Sequence, residues 1–215
     1  MRQQQRGFTL IEIAIVLVII GLLLGGVLKG QELITQAKIK NVVNDMNGVA
    51  VAIYAYQDRY KRLPGDDNGA TARWTTIALS QGNGNSQIEG TYNATTNTQE
   101  TRAFWSHLRF AGLINGPTNT VAAASTQPTN AAGGITGVQQ GALSIGGLVV
   151  CSGKLPAKIA QAIDSQFDDG VAGTGSVRAI IDATTPTTNV PVLANAVIPN
   201  YVDINNNLYV VCKSI

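Results

Sequence analysis

Few side chains in this 215-residue sequence are equipped for chemistry, and their spacing limits what they can do. The one histidine, His107, sits between aromatic and aliphatic neighbours in Ala103-Phe104-Trp105-Ser106-His107-Leu108. A nucleophilic triad or a zinc site needs convergent partners that no motif here supplies, so His107 is expected to be structural. The runs Gly82-Asn83-Gly84 and Gly173-Thr174-Gly175 lack a following Lys-Ser/Thr, and with it the means to cradle phosphate. An enzyme is therefore not expected. One acidic cluster asks for compensation. Asp164, Asp168 and Asp169, with Gly170 behind them, fall at the carboxyl end of a predicted helix, where the helix dipole disfavours negative charge. Lys158, Arg178 or a bound calcium ion with its several oxygen ligands would offset it.

The remaining chemical group is a carboxylate in an unusual place. Between Phe8 and Leu28 the only charge is Glu12, in a run long enough to cross a bilayer as a helix. A carboxylate near the start of such a span costs about 3 kcal/mol on insertion scales. An ordinary cleaved signal peptide does not fit, because the run is too long and no Ala-x-Ala site follows it. A plain anchor explains the length but not the glutamate. Arg2 and Arg6 flank the amino-terminal side, so the positive-inside rule keeps Met1–Gly7 in the cytoplasm and exports the bulk of the chain. Cys151 and Cys212 then lie in an oxidising compartment, where a pair of cysteines forms a disulfide, the alternative being two separate buried thiols.

The string Arg6-Gly7-Phe8-Thr9-Leu10-Ile11-Glu12 resembles the class III signal of type IV prepilins and of the pseudopilins of type II secretion. The resemblance implies that a prepilin peptidase cuts between Gly7 and Phe8 and methylates the new amino terminus on Phe8. It makes Glu12 the fifth mature residue, whose carboxylate pairs with the terminal amine of a neighbouring subunit during assembly. Two charges costly alone in lipid become tolerable as a pair, so the buried glutamate favours correctly registered self-association. Many major pilins carry a proline near mature position 22, which is Lys29 here, and no proline occurs between Phe8 and Leu63. Gly21, Gly25, Gly26 and Gly30 would weaken the same region or serve close packing between spanning helices. The implied partners are copies of the chain itself, the prepilin peptidase, an inner-membrane assembly platform, and membrane lipid before assembly. The implied location is the bacterial inner membrane, with the carboxyl-terminal domain exported to the periplasm and, once assembled, displayed in a surface filament.

The elements that must position these groups follow from periodicity. Beyond Lys29 the apolar residues Val42, Met46, Val49, Ile53, Tyr56, Tyr60 and Leu63 form one stripe on a helix that stops before Pro64-Gly65. Phe104, Leu108 and Ala111 share a face of a short helix ending at Gly112, in a segment that also resembles the pilin-like family. Residues Asp66–Gln99 are rich in Thr, Asn, Gly and Gln, interrupted by Trp74 and Ile77–Leu79, and Asn115–Gly141, again small and polar, is expected to be surface loop. Leu143–Cys151, Ser176–Ile181 and Leu208–Cys212 read as strands, and Pro156–Phe167 as a helix with Ile159, Ile163 and Phe167 inward. The expected class is α+β, with a small antiparallel sheet packed on the second half of a long amino-terminal helix. This agrees with the lollipop fold that the resemblance implies. The divisions are a leader at 1–7, a transmembrane and assembly helix at 8–28, its amphipathic continuation at 29–63, and an exported domain at 64–215.

Composition narrows the function classes. Hydrophobic residues make up 45% and charged residues 13%, an apolar excess concentrated in the first helix. Removal of Arg2 and Arg6 with the leader takes the 15 basic residues to 13, against 13 acidic ones, and leaves the mature chain formally neutral. Nucleic acid is not an expected partner, because it would require a basic stripe. The expected function is that of a structural subunit, major or minor, of a type IV pilus-like filament. The alternatives are a type II secretion pseudopilin and a ligand- or DNA-binding minor pilin.

Overall fold

The computed structural model describes residues 9–75, 79–182, 191, 200–204 and 206–215. Its first element, α1, is a single α-helix over Leu10–Tyr60, and the four glycines between Gly21 and Gly30 do not interrupt it. Every residue from Leu10 to Lys29 is exposed. The most apolar 18-residue window of α1 has a mean hydropathy of 2.8, enough by length and composition to cross a membrane. The chain divides into two compact units, Met1–Lys38 and Ile39–Ile215.

From Ile39 onward the apolar stripe has a partner. Ile39, Val42, Val43, Met46, Val49, Ala52, Ile53 and Tyr56 are buried in the main core. A buried aliphatic or aromatic side chain contributes about 1.5–3 kcal/mol, which makes this half of α1 the spine of the second unit. The helix ends where Lys61 takes a left-handed φ of 57° while still donating its N–H to the Gln57 carbonyl. Pro64 then prevents any continuation.

Among the described residues four further helices follow: α2 at Ala70–Arg73, α3 at Glu100–Phe110, α4 at Val121–Ala124 and α5 at Ala157–Phe167. The strands are β1 at Thr136–Ala142, β2 at Ile145–Pro156, β3 at Val177–Asp182 and β4 at Leu208–Ser214. They form one antiparallel sheet in the order β1-β2-β4-β3. Alternate residues take opposite faces, as the strand period of two requires. Tyr209 and Val211 of β4 join the core built on α1, whereas Val210 and Cys212 join a second apolar cluster with Val149, Cys151 and Tyr92. Phe104, Trp105 and Leu108 of α3 and Ile159, Ala160 and Ile163 of α5 complete the main core. This is the α+β arrangement expected from the sequence.

One expectation needs correction. The stretch Asn115–Gly141, read as surface loop, contains α4 and β1, with Thr136 and Gln139 buried. Strand β1 carries little apolar signal because polar contacts seat it. Gln139 accepts from the Tyr92 amide and donates to the Gly141 and Pro191 carbonyls, and Gly137 packs so closely that a Cβ there would lie 2.0 Å from the Tyr92 carbonyl oxygen. The polar stretch Asp66–Gln99 buries Asp66, Asp67, Leu79, Ile88 and Tyr92.

Candidate functional site

At the amino-terminal end, Gly7 and Phe8, the expected cleavage and methylation residues, lie outside the described residues. The structure begins at Thr9, and Thr9-Leu10-Ile11-Glu12 forms a capping box. The amide and hydroxyl of Thr9 donate to Glu12 Oε2 at 2.8 and 2.7 Å, while the Glu12 amide reaches back to Thr9 Oγ1 at 3.4 Å. Helix starts leave N–H groups without intrahelical acceptors, and this reciprocal pattern satisfies two of them. Thr9 escaped the sequence reading, although the Thr-x-x-Glu spacing is the local signal for it. Glu12 Oε1 accepts no bond from a described residue, so the carboxylate keeps one oxygen for an external cation.

The second place where polar groups converge is the polar network around the end of α1. Asp67 Oδ2 accepts from the Tyr56 hydroxyl and from Arg73 Nη1, both at 2.7 Å, and Oδ1 accepts from the Gly69 amide. Burial alone would raise the pKa of Asp67, but these donors outweigh it and hold the group below its usual value. The Arg73 guanidinium also lies 4.2 Å from the Tyr60 ring centroid. Asp66 accepts from three consecutive amides, those of Gly84, Asn85 and Ser86. Glu100 accepts from the Asn83 and Glu89 amides, yet burial keeps its pKa raised.

His107 sits inside this network with no solvent exposure. Its Nδ1 accepts from the Gly65 amide at 2.9 Å, which leaves the proton on Nε2 to donate to the Ser80 carbonyl at 2.8 Å. The ring is thereby fixed in one neutral tautomer, and burial lowers its pKa. Its role is to join the turn after α1, the segment around Ser80 and α3. Sequence alone shows Pro64-Gly65-Asp66-Asp67 as a turn but not the distant amides that those carboxylates hold.

Asp164, Asp168 and Asp169 do come together, with one carboxylate oxygen from each lying within 4.8 Å of the others. Neither Lys158 nor Arg178 forms an ion pair with them among the described residues; Arg178 instead donates to the Gly175 and Leu143 carbonyls. Compensation comes from other donors. Asp164 accepts from the Tyr201 hydroxyl and the Gly170 amide, Asp168 from the Ser176 and Val177 amides, and Asp169 from the Val171 amide and the Thr174 hydroxyl. Burial leads the causes that raise the pKa of Asp164, and its two acidic neighbours add to it. The donor set, all carboxylate oxygen, is of the type that suits calcium, though most of those oxygens already accept hydrogen bonds. Cys151 and Cys212 are directly paired residues of β2 and β4 and are joined by a disulfide.

Residues 2–28 match the family model of the prokaryotic N-terminal methylation motif. The chain thus carries the signal of type IV prepilins and pseudopilins, which is structural and names no reaction. No curated protein matches the chain.

Proposed function

We propose that this chain, a carrier of the prepilin-type signal, is a structural subunit of a type IV pilus-like filament, assembled through α1 after removal of Met1–Gly7. One observation carries the reading. The exposed apolar half of α1 holds a single carboxylate in its first turn, and Thr9 engages only one of its oxygens. Before assembly the Thr9 contacts lower the cost of keeping that carboxylate in lipid. During assembly the amine of Phe8 on a neighbouring copy would meet the other oxygen, and the pair would fix the register between subunits. The domain from Ile39 onward would be the exported, displayed part.

Glu12→Gln separates the two roles, because a glutamine side chain can still cap the helix but carries no charge. The Gln variant is expected to accumulate as a stable, membrane-bound precursor and to yield no sheared filaments, as is Glu12→Ala. Normal filament yield from both variants would remove charge pairing as the assembly principle.

A short secretion pseudopilus is the second reading, since the same signal serves both systems. The polar carboxyl-terminal region and its disulfide favour a displayed fibre, whose exterior needs a stapled, soluble surface.

A further inference from the structure

Two guanidinium groups on α3 lack the counter-charge that burial demands. Arg102 and Arg109 are 9% and 8% exposed, and neither is ion-paired among the described residues. Arg102 is held by neutral acceptors, the side chains of Gln127 and Asn97. Arg109 commits only Nη1, which donates to the Ala123, Ala124 and Thr126 carbonyls, and its buried Nε–H has no partner. A buried cation without an anion is unfavourable, and an unmade charged hydrogen bond adds to the penalty.

Arg109 lines a cavity of about 370 Å³ between α1 and the segment after α3. That volume falls in the range of small-molecule sites. Trp105 packs against the same cavity at 1% exposure, with its indole N–H sealed from it. Val49, Leu113 and Ile114 supply apolar wall, and Asp45 on α1 is the one acidic residue of the lining. Asp45 does not neutralise Arg109, since no ion pair joins them.

We propose that this cavity binds the carboxylate of a small organic acid, with Arg109 as its counter-charge and the aliphatic wall around its carbon chain. A bare inorganic anion would leave that wall unfilled, and a multiply charged one would be repelled by Asp45. None of the lining residues lies in the exposed apolar half of α1.

The test is titration calorimetry on the full chain in detergent micelles, with isovalerate as the probe and isovaleramide as its uncharged isostere. Isovalerate is expected to bind at about millimolar affinity, the range open to so small a ligand. The amide is expected to bind at least about tenfold more weakly, as befits loss of a charged hydrogen bond. Asn115→Asp, which adds a carboxylate to the lining, should weaken isovalerate by a similar factor, and Arg109→Gln should abolish binding. Equal binding of acid and amide, no binding of either, or unchanged affinity in Asn115→Asp would each overturn the assignment. Should Arg109→Gln fail to fold, the amide control and Asn115→Asp decide the matter without it.

Discussion

Replacing His107 by glutamine isolates the contribution of one buried imidazole, because the chain has a single histidine. In the folded protein Nδ1 accepts from Gly65 and Nε2–H donates to Ser80, so the neutral ring satisfies both contacts. Protonation would put an N–H on Nδ1 against the Gly65 N–H, and burial already lowers the pKa of the group. The unfolded chain, with an ordinary histidine pKa near 6.5, therefore binds a proton that the folded chain refuses. Stability from this group is fully present above about pH 6.5 and is lost as pH falls, at up to about 1.4 kcal/mol per unit, until the folded pKa is reached. Glu100 and Asp164 act in the opposite sense at lower pH, since their raised pKa values let the folded state take protons first. The difference between wild type and variant removes those terms. At neutral pH the variant forfeits the fit of two buried hydrogen bonds, about 2–4 kcal/mol, and melts roughly 4–16 °C lower. Thermal melts of the full chain in detergent between about pH 7.5 and 5.5 provide the assay across the histidine range. The gap should narrow steadily as pH falls. Parallel curves for the two proteins, or a wild type that gains stability over this range relative to the variant, would refute the neutral-tautomer argument.

Two other outcomes follow from the exported fold. Reduction of the Cys151–Cys212 disulfide, or the Cys151→Ser, Cys212→Ser double variant, should lower stability by about 4 kcal/mol on a chain-entropy argument for a loop of 61 residues, measured by urea denaturation. An unchanged midpoint would mean that sheet pairing alone holds β2 to β4. At the Asp164–Asp168–Asp169 cluster, the chain's own donors already engage the carboxylates, so exchanging calcium for a chelator is expected to leave the melting midpoint unchanged. A rise with calcium that is lost in Asp168→Asn would instead make the cluster a metal site.

The sequence was most legible where burial is achieved by apolar side chains at regular spacing. The stripe from Val42 to Tyr56, the Phe104–Leu108 face of α3, the inward residues of α5 and strands β3 and β4 appear close to where the pattern put them, whereas the strand expected at Leu143–Cys151 begins at Ile145 and runs on through polar residues to Pro156. It was least legible where polar side chains do the packing. Strand β1 has Val138 as its only large apolar residue in the main core, and its placement depends on Gln139 and on the close approach of Gly137 to Tyr92. The run around Asp66 resembles solvated loop because its partners, the amides of Gly84 to Ser86, are distant in sequence and carry no side-chain signature. At the amino terminus the Glu12 carboxylate stood out on charge alone. Its capping contact with Thr9 is equally local, carried by the Thr-x-x-Glu spacing at the start of the apolar run.

The most direct measurement is the intact mass and amino-terminal sequence of this protein recovered from sheared filaments. The account predicts a chain that begins at Phe8, lacks Met1–Gly7 and carries one added methyl group on the new amine. A full-length chain in filaments, cleavage at any other bond, or absence of the protein from the filament fraction would contradict it.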